Sequence, residues 1–377
     1  MDIPKLSSKY LLNTYKKTIC LDHGKGSTVY DLKGKAYVDF IGGIATCSIG
    51  HGNPALVKAI TEQASQMINP SNLFYSKPQV MLAKELTSIS GMDKCFFSNS
   101  GTEAVETAIK IARKVTKKKQ MIAMEGAFHG RTLGSLSATW GKKYKTAFKP
   151  LISGFKHVPY GDIEALKKNL GPNTAAVILE PIQGEAGVIV PPAGYLKEVQ
   201  ELCHSQGALF ILDEVQTGCG RTGKFYCFQN YGLKPDIVAS AKGLANGIPI
   251  GATLAAKGID LEPGDHGSTF GGNSLSCAAA LKTVEVIKKA MPGVKTKGKK
   301  LMEGLATMNG VTNIRGQGLM IGADAEDKDI VKKCAENGVL INSPHPGAIR
   351  LLPALTITEK EMTAGITRMK AAFTGGE

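Results

Sequence analysis

Three patterns that would indicate other kinds of protein are missing from this sequence of 377 residues. None of its eight cysteines forms a C-x-x-C pair, so a structural zinc site or other metal site is not expected. No stretch reaches about 18 consecutive apolar residues, and the first residues lack the apolar core of a signal peptide. We therefore expect a cytoplasmic protein with reduced thiols and no membrane association.

Acidic residues are outnumbered: 46 Lys and Arg face 32 Asp and Glu, for a net charge of +14. Such a balance attracts nucleic acids, anionic membranes, acidic proteins or anionic metabolites. Aromatic residues do not alternate with the densest basic stretches, at 117–119 and 295–300, as a single-strand nucleic-acid binder requires. We expect a solvated basic surface and no nucleic-acid partner, and an acidic protein or anionic metabolites remain the alternatives.

Short apolar runs alternate with helical patterns in the middle of the chain. Nearly continuous apolar runs are typical of strands buried on both faces, which occur in parallel sheets covered by helices. The predicted fold class is therefore α/β, with a mainly parallel sheet flanked by helices in a large domain and a smaller α+β domain. The predicted strands of the large sheet lie at 94–100, 120–126, 175–181, 207–215 and 235–242.

A change of pattern along the chain predicts three parts. Residues 1–50 form an N-terminal arm and a hairpin that belong to the small domain, with Gly34 at the turn. Residues 51–273 form the large domain, and residues 274–377 form the C-terminal small domain. The stretches of the small domain that alternate like antiparallel strands, followed by its last helix, lie at 311–325, 337–344, 348–358 and 358–373.

Three features at the ends of predicted strands point to one cofactor. Lys242 follows a buried strand, where an ammonium group is costly unless it gains a partner or loses its proton. Asp213 ends the preceding strand, at the edge where open parallel sheets bind ligands. A capping box at 100–103 leaves the amides of Gly101 and Thr102 free to bind phosphate. Pyridoxal phosphate (PLP) needs all three: a lysine that forms a Schiff base, an acid at the pyridine nitrogen and a phosphate cradle.

Motifs over nearly the whole chain are similar to those of one enzyme family. The chain resembles the fold-type I, class III aminotransferases, and within them the acetylornithine aminotransferase group. Any one of these motifs is weak alone, and their combination is specific. They are GHGNPALVKAI (50–60), SNLFYSKPQ (71–79), NSGTEAVETAIKIAR (99–113), GAFHGRTLGSLSAT (126–139), AAVILEPIQGEAGV (175–188), LFILDEVQTGCGRTGKF (209–225), SAKGLANGIPIGA (240–252), HGSTFGGN (266–273) and IRLLPALTI (349–357).

The resemblance implies a role in cofactor binding for eight residues. Lys242 carries PLP and moves the substrate proton, and Asp213 pairs with the pyridinium nitrogen. Thr269 reaches the phosphate from the second subunit, so the resemblance implies a homodimer with shared active sites. The remaining contacts to the ring or the phosphate come from Gly101, Thr102, Phe128, Val215 and Gln216.

The resemblance also implies the reaction. Arg131 would bind the carboxylate far from the reacting amine, and Arg350 the α-carboxylate of glutamate or 2-oxoglutarate, because an arginine fork suits a carboxylate. Glu185 would pair with Arg350 when the donor has no carboxylate there, and Ser268 would lie near the acylated amine. The expected reaction moves the terminal amino group of N2-acetyl-L-ornithine to 2-oxoglutarate, giving N-acetylglutamate 5-semialdehyde and glutamate in arginine biosynthesis.

Several alternatives remain open. Ile44 stands where ornithine aminotransferases carry a tyrosine, which argues against free ornithine, and the loop near Cys47 also departs from the acetylornithine pattern. Ornithine, 4-aminobutyrate and succinylornithine remain candidate donors. A stretch ending at Trp140 and the basic charge also suit amino groups carried on an acidic carrier protein in lysine or arginine synthesis. A non-catalytic nucleic-acid-binding protein is a remote alternative. His129 is expected to pack or hydrogen-bond rather than to catalyse, and His51 to fix a loop.

Overall fold

Three sheets organise the chain in a computed structural model, which describes residues 2–374. The N-terminal elements are α1 (Ile3–Tyr10), β1 (Leu21–Lys25), β2 (Thr28–Asp31), β3 (Ala36–Asp39), α2 (Gly42–Ala45), α3 (Pro54–Gln66) and α4 (Lys77–Ser90). The central elements are β4 (Lys94–Ser98), α5 (Gly101–Thr116), β5 (Gln120–Met124), α6 (Leu133–Ala138), α7 (Lys142–Lys145), β6 (Phe155–Val158), α8 (Ile163–Asn169), β7 (Thr174–Leu179), α9 (Tyr195–Ser205), β8 (Leu209–Asp213), β9 (Ile237–Ser240) and β10 (Gly251–Ala255). The C-terminal elements are α10 (Ser274–Ala290), α11 (Val294–Ala306), β11 (Val311–Gln317), β12 (Met320–Ala325), α12 (Ile330–Glu336), β13 (Val339–Leu340), β14 (Ala348–Leu351) and α13 (Glu359–Thr374).

The central sheet has seven strands in the order β4-β10-β9-β8-β7-β5-β6. Strands β9, β8, β7, β5 and β6 pair in parallel, and β10 alone runs against its neighbours β4 and β9. Every residue of β7 and β9 is buried, as expected for strands covered on both faces. The predicted mainly parallel sheet flanked by helices is confirmed. Because parallel strands end at one edge, the ends of β7, β8 and β9 lie side by side.

Of the two smaller sheets, the four-stranded one, β1-β2-β3-β13, joins the beginning of the chain to its end, and the three-stranded one, β11-β12-β14, is wholly C-terminal. The predicted hairpin is formed by β2 and β3, with Gly34 at a φ of +80° in the turn. One strand expectation was wrong: β13 pairs in parallel with β3 instead of joining an antiparallel sheet with β11, β12 and β14. The backbone groups of this two-residue strand form hydrogen bonds with the open edge of β3. The predicted boundaries of the three parts, at residues 50 and 273, stay a prediction. Met1 of the first part and residues 375–377 of the last part lie outside the described range.

Among residues 2–374, no helix combines the length and the apolar composition needed to cross a bilayer. The same residues hold no group of three or more His, Cys, Asp or Glu arranged to bind a metal ion. All eight cysteines are free thiols, and five of them are buried.

The loop between β3 and α3 is held at both ends by hydrogen bonds. His51 exchanges two backbone hydrogen bonds with Gly26, at 2.8 and 2.9 Å, which fits its expected role in fixing a loop. Its Nε2 donates to Asp39 Oδ2 at 2.8 Å, and Asp39 Oδ1 accepts from the amides of Ile41 and Gly42. The hydrogen bond to Asp39 and a further one to Cys47 raise the pKa of His51 to about 10, although burial opposes the shift.

The His51–Asp39 pair should make stability depend on alkaline pH. A histidine whose folded pKa is about 10 and whose ordinary value is 6.5 stabilises the fold below pH 6.5, and this contribution is lost as the pH rises toward 10. We expect His51→Gln to remove about 1–2 kcal/mol of unfolding free energy near pH 6, because the imidazole remains partly exposed to solvent. Urea unfolding measured from pH 6 to 10 should show the variant and the wild type converging at the alkaline end.

His23→Gln is the matched control, because His23 also pairs with an aspartate, Asp22, but both side chains are more than half exposed. It should leave the pH dependence unchanged. A constant difference between His51→Gln and wild type across the range would contradict the assignment.

Candidate active site

Two buried carboxylates end neighbouring strands at one edge of the central sheet. The register of β7 with β8 places Glu180 beside Asp213, the last residue of β8, which is 3% exposed. A buried carboxylate is costly without donors. Asp213 Oδ1 accepts from the amide of Val215 at 3.0 Å, and Oδ2 lies 2.7 Å from His129 Nδ1. Because a carboxylate only accepts, His129 carries its proton on Nδ1 and donates it.

Lys242 is separated from the end of β9 by one residue, Ala241, and begins one 3-10 turn at 242–245. Its φ of +23° lies in the left-handed region that side chains rarely adopt, which costs about 1–3 kcal/mol. Burial lowers the pKa of its ammonium group, while the negative charges of Asp213, Glu185 and Glu180 oppose the shift. Lys242 is thus surrounded by acidic groups and still favours the neutral amine more than an exposed lysine does.

The start of α5 has free backbone donors that suit an anion. Ser100 Oγ accepts from the amide of Glu103 at 3.3 Å, which is one half of the predicted capping box. The other half was wrong: the Glu103 carboxylate accepts from the backbone and side-chain nitrogens of Asn99, which offer two donors to one oxygen. The amides of Gly101 and Thr102 precede the first intrahelical hydrogen bond and lie at the positive end of the helix dipole.

The missing side chain of Gly101 and the hydroxyl of Thr102 also shape this helix start. A Cβ at Gly101 would lie 2.7 Å from Cγ1 of Val215, so only glycine lets the helix approach the loop after β8 so closely. Thr102 Oγ1 lies 2.6 Å from Ser135 Oγ and 2.8 Å from Thr132 Oγ1. Hydroxyls and free amides at a helix start are suitable donors for a phosphate group.

The loop after β5 carries an aromatic and an arginine. The amide of Phe128 donates to Glu180 Oε1 at 2.9 Å, and the Phe128 ring meets the ring of Tyr144 edge to face, with centres 5.6 Å apart. The guanidinium carbon of Arg131 lies 4.3 Å from the Tyr144 ring centre. This cation–π contact orients Arg131 while leaving its exposed donors available to an anion.

Glu180 joins this loop to the one after β7. Its Oε2 accepts from the amide of Gly184 at 2.9 Å, while Oε1 accepts from Phe128. Burial raises the pKa of Glu180 to about 7, and the neighbouring charge of Asp213 adds to the increase, whereas His129 and the two amides oppose it. One buried side chain therefore sets the spacing of two loops that border the site.

A second arginine is buried within the site. Arg350 on β14 is 1% exposed, and its Nη1 donates to Glu185 Oε1 at 2.6 Å and to Gln216 Oε1 at 3.1 Å. Asn342 Oδ1 accepts from Nε at 3.0 Å and from Nη2 at 2.6 Å. The Glu185–Arg350 pair that the resemblance implies is therefore formed, between residues far apart in the sequence.

Two predicted site residues, Ser268 and Thr269, lie on a loop away from the Arg350–Glu185 pair. Ser268 Oγ accepts from Asn99 Nδ2 at 3.2 Å and from the amide of Gly271 at 2.9 Å, which places it beside the turn that leads into α5. Thr269 is exposed, and its carbonyl accepts from the side chain of Asn69. The loop thus presents the Thr269 side chain outward.

The sequence reasoning missed two contributors, Glu180 and Asn342. Glu180 could have been found, because it ends an apolar run just as Asp213 does. His129 was expected to pack or hydrogen-bond, and it hydrogen-bonds to Asp213. Asn342 carries no local signal, because its function depends on the fold bringing it to Arg350.

Comparison with known proteins gives a consistent result. The family described as aminotransferase class III matches residues 11–373. Acetylornithine aminotransferase of Methanothermobacter thermautotrophicus is 49% identical over 97% of this chain and 96% of its own length. Acetylornithine aminotransferase of Elizabethkingia anophelis has a similar crystal structure, with a TM-score of 0.88, 34% identity and 98% of both chains covered. An ornithine aminotransferase structure from Toxoplasma gondii, described with partial occupancy of PLP at its active site, has a TM-score of 0.94 and 33% identity, covering 98% of this chain and 93% of that one.

The fold and the site define a PLP-dependent enzyme. The residues present fit the cofactor: a helix start that only glycine allows to pack so closely, a buried carboxylate with fixed donors, and a lysine whose pKa is lowered. The chain belongs to the class III aminotransferases.

The close packing at Gly101 leads to a test of the phosphate cradle. We expect Gly101→Ala to weaken PLP binding by about tenfold or more, because the added methyl group pushes the helix start away from Val215. Titration of the cofactor-free protein with PLP, followed by absorbance, measures the Kd. Gly171→Ala is the control, since a Cβ there meets no atom within 4 Å. Equal affinity in both variants would show that this helix start does not bind the phosphate.

Proposed function

We propose that the protein transfers the terminal amino group of N2-acetyl-L-ornithine to 2-oxoglutarate, giving N-acetylglutamate 5-semialdehyde and glutamate in arginine biosynthesis. The observation that carries the proposal is the ion pair between buried Arg350 and partly exposed Glu185 beside Lys242. While Arg350 is paired with Glu185, the site can bind an amino-group donor that has no carboxylate near Arg350. Once Glu185 moves aside, Arg350 can bind a carboxylate of 2-oxoglutarate. The acetylornithine aminotransferases among the relatives support this substrate.

The chain's own residues divide the chemistry between them. When bound, PLP supplies an aldehyde that reacts with amines and a ring that delocalises negative charge. Lys242 would hold the cofactor and carry a proton on Nζ to and from the reacting carbon, which its lowered pKa favours. Asp213, fixed by His129 and Val215, would keep the ring nitrogen protonated.

The remaining residues hold the cofactor and the substrates in position. Phe128 would cover one face of the ring, and Val215 and Gln216 would contact its region. Gly101 and Thr102 would bind the phosphate through their free amides. Arg131 would bind the distal carboxylate of acetylornithine, and Ser268 would lie near the acetylated amine.

A homodimer would complete the site. Asn72 Nδ2 donates to the carbonyls of Ser268 and Gly271, so the loop carrying Thr269 and the segment at 67–75 form one surface. This surface exposes apolar side chains: Leu73 is 85% exposed and Phe270 is 63% exposed. Such a patch favours a protein partner. A second copy would bury it and bring Thr269 to the phosphate of its neighbour.

Other donors and partners remain as alternatives to be tested. Ile44 offers an apolar side chain where free ornithine would need a polar contact, so we favour the acylated substrate. An amino group carried by an acidic protein is the second candidate, because it would suit the net charge of +14. We propose a cytoplasmic setting, which the eight free thiols support.

Replacing Lys242 tests its proposed role in the chemistry. We expect Lys242→Ala to lower kcat by about a thousandfold or more and to remove the visible absorption band of the bound cofactor, because the attaching amine is gone. Thermal unfolding should show that the fold persists. Lys257→Ala removes an exposed lysine nearby in sequence and should retain both the band and the activity. A Lys242→Ala protein that keeps the band would refute the assignment.

A donor panel tests the substrate. With 2-oxoglutarate as acceptor, kcat/KM should be highest for N2-acetylornithine and at least about tenfold lower for ornithine, succinylornithine and 4-aminobutyrate. Amino groups attached to an acidic carrier protein belong in the same panel. A higher kcat/KM for the carrier-bound amine, with a steep loss at high salt, would replace the proposed function by the second candidate.

A further inference from the structure

Arg350 has fewer free donors than its position suggests. A guanidinium group carries five N–H donors. Four are in use among the described residues: two on Nη1 bind Glu185 and Gln216, and one each on Nε and Nη2 bind Asn342. A single N–H on Nη2 remains. A substrate carboxylate can therefore bind in a bidentate manner only if one of these partners gives way.

Asn342 is the partner least able to leave. Its backbone amide and carbonyl both pair with Arg350, at 3.3 and 2.7 Å, and these bonds close the loop 342–350. The side-chain oxygen of the same residue accepts from two nitrogens of the guanidinium group. Glu185, by contrast, reaches Arg350 with one oxygen from a different loop. Gln216 also makes a single bond to Arg350 but carries no charge, so Glu185 is the ligand that an incoming carboxylate would replace, and Asn342 the one that stays.

The chemistry of Asn342 suits a fixed support. An amide oxygen orients the guanidinium plane but carries no charge, so the positive charge of Arg350 remains available when Glu185 leaves. A carboxylate in the same place would neutralise Arg350 permanently and compete with the substrate. An alanine would let the guanidinium group rotate, and the orientation would have to be restored on each binding event.

We propose that Asn342 is a positioning residue that holds Arg350 ready for the carboxylate of the acceptor and thereby separates the two halves of the reaction. This inference rests on the proposed function, in which Arg350 binds 2-oxoglutarate. The donor half uses Arg350 while it is paired with Glu185 and depends little on Asn342. The acceptor half needs Arg350 without Glu185 and depends on Asn342 for its orientation.

Binding of glutarate, a dicarboxylate without a reactive keto group, measures the effect without turnover. Calorimetric titration of the holoenzyme should show affinity about three- to tenfold lower in Asn342→Ala, because a guanidinium hydrogen-bond partner is lost. Asn342→Asp has nearly the same shape and should lower the affinity further, because its charge competes for Arg350. Asn337→Asp adds the same charge at an exposed site on the same segment and should bind glutarate like the wild type.

Single-turnover rates of the two half-reactions then separate positioning from general damage. The KM for 2-oxoglutarate in the acceptor half should rise by the same factors as the glutarate Kd, while the donor half changes less than about twofold. Unchanged glutarate affinity in both Asn342 variants, or equal losses in both half-reactions, would overturn the inference. If glutarate binding follows the expected order but no donor of the panel reacts, the proposed function fails and the role of Asn342 stands.

Discussion

The carboxylate of Asp213, buried at the end of β8, is the constraint on which the arrangement of this site depends. It cannot remain ionised there without donors. The chain supplies two, one from the next loop through Val215 and one from a distant loop through His129. The His129 contact requires the loop after β5 to fold over the ends of β7 and β8. The same loop then carries Phe128 and Arg131 to the site, so satisfying one charge places two further groups.

The parallel strands also position the other charged groups of the site relative to Asp213. Because β7, β8 and β9 run side by side, Glu180, Asp213 and Lys242 come from three adjacent strand ends. Burial explains the two shifted pKa values: it raises the pKa of Glu180 to about 7 and lowers the pKa of Lys242, although the charges of the neighbouring acids oppose the shift of the lysine. Burial thus moves both groups toward their neutral forms. Proton transfer requires a neutral lysine amine. The apolar surroundings that stabilise the sheet therefore also favour the form of Lys242 that can accept a proton.

The sequence predicted these strand ends well because each depends on local patterns. Apolar runs identified β4, β5, β7, β8 and β9, and the residues at or just after their ends included Asp213 and Lys242. Features set by distant partners were harder. The two-residue strand β13 has too little pattern to reveal its parallel pairing with β3. Helix α11 was missed although Val294, Leu301 and Leu305 recur at helical spacing, because lysines and glycines surround them. The contact of Asn342 with Arg350 was the hardest to predict, because it forms only when the loop 342–350 closes in the folded protein.

The two halves of the site are built from different kinds of contact. The cofactor half relies on backbone amides and buried groups at strand and helix ends, which cannot rearrange without disturbing the central sheet. The proposed substrate half relies on side-chain contacts, above all the pair between Arg350 on β14 and Glu185 on the loop after β7. Arg350 is 1% exposed, so its charge could not stay unbalanced at low cost. In the proposed reaction, exchange of one carboxylate for another, Glu185 for that of a substrate, would keep the buried charge balanced throughout. The same physical requirement that holds the pair together would therefore also let one site admit substrates with and without a carboxylate at this point.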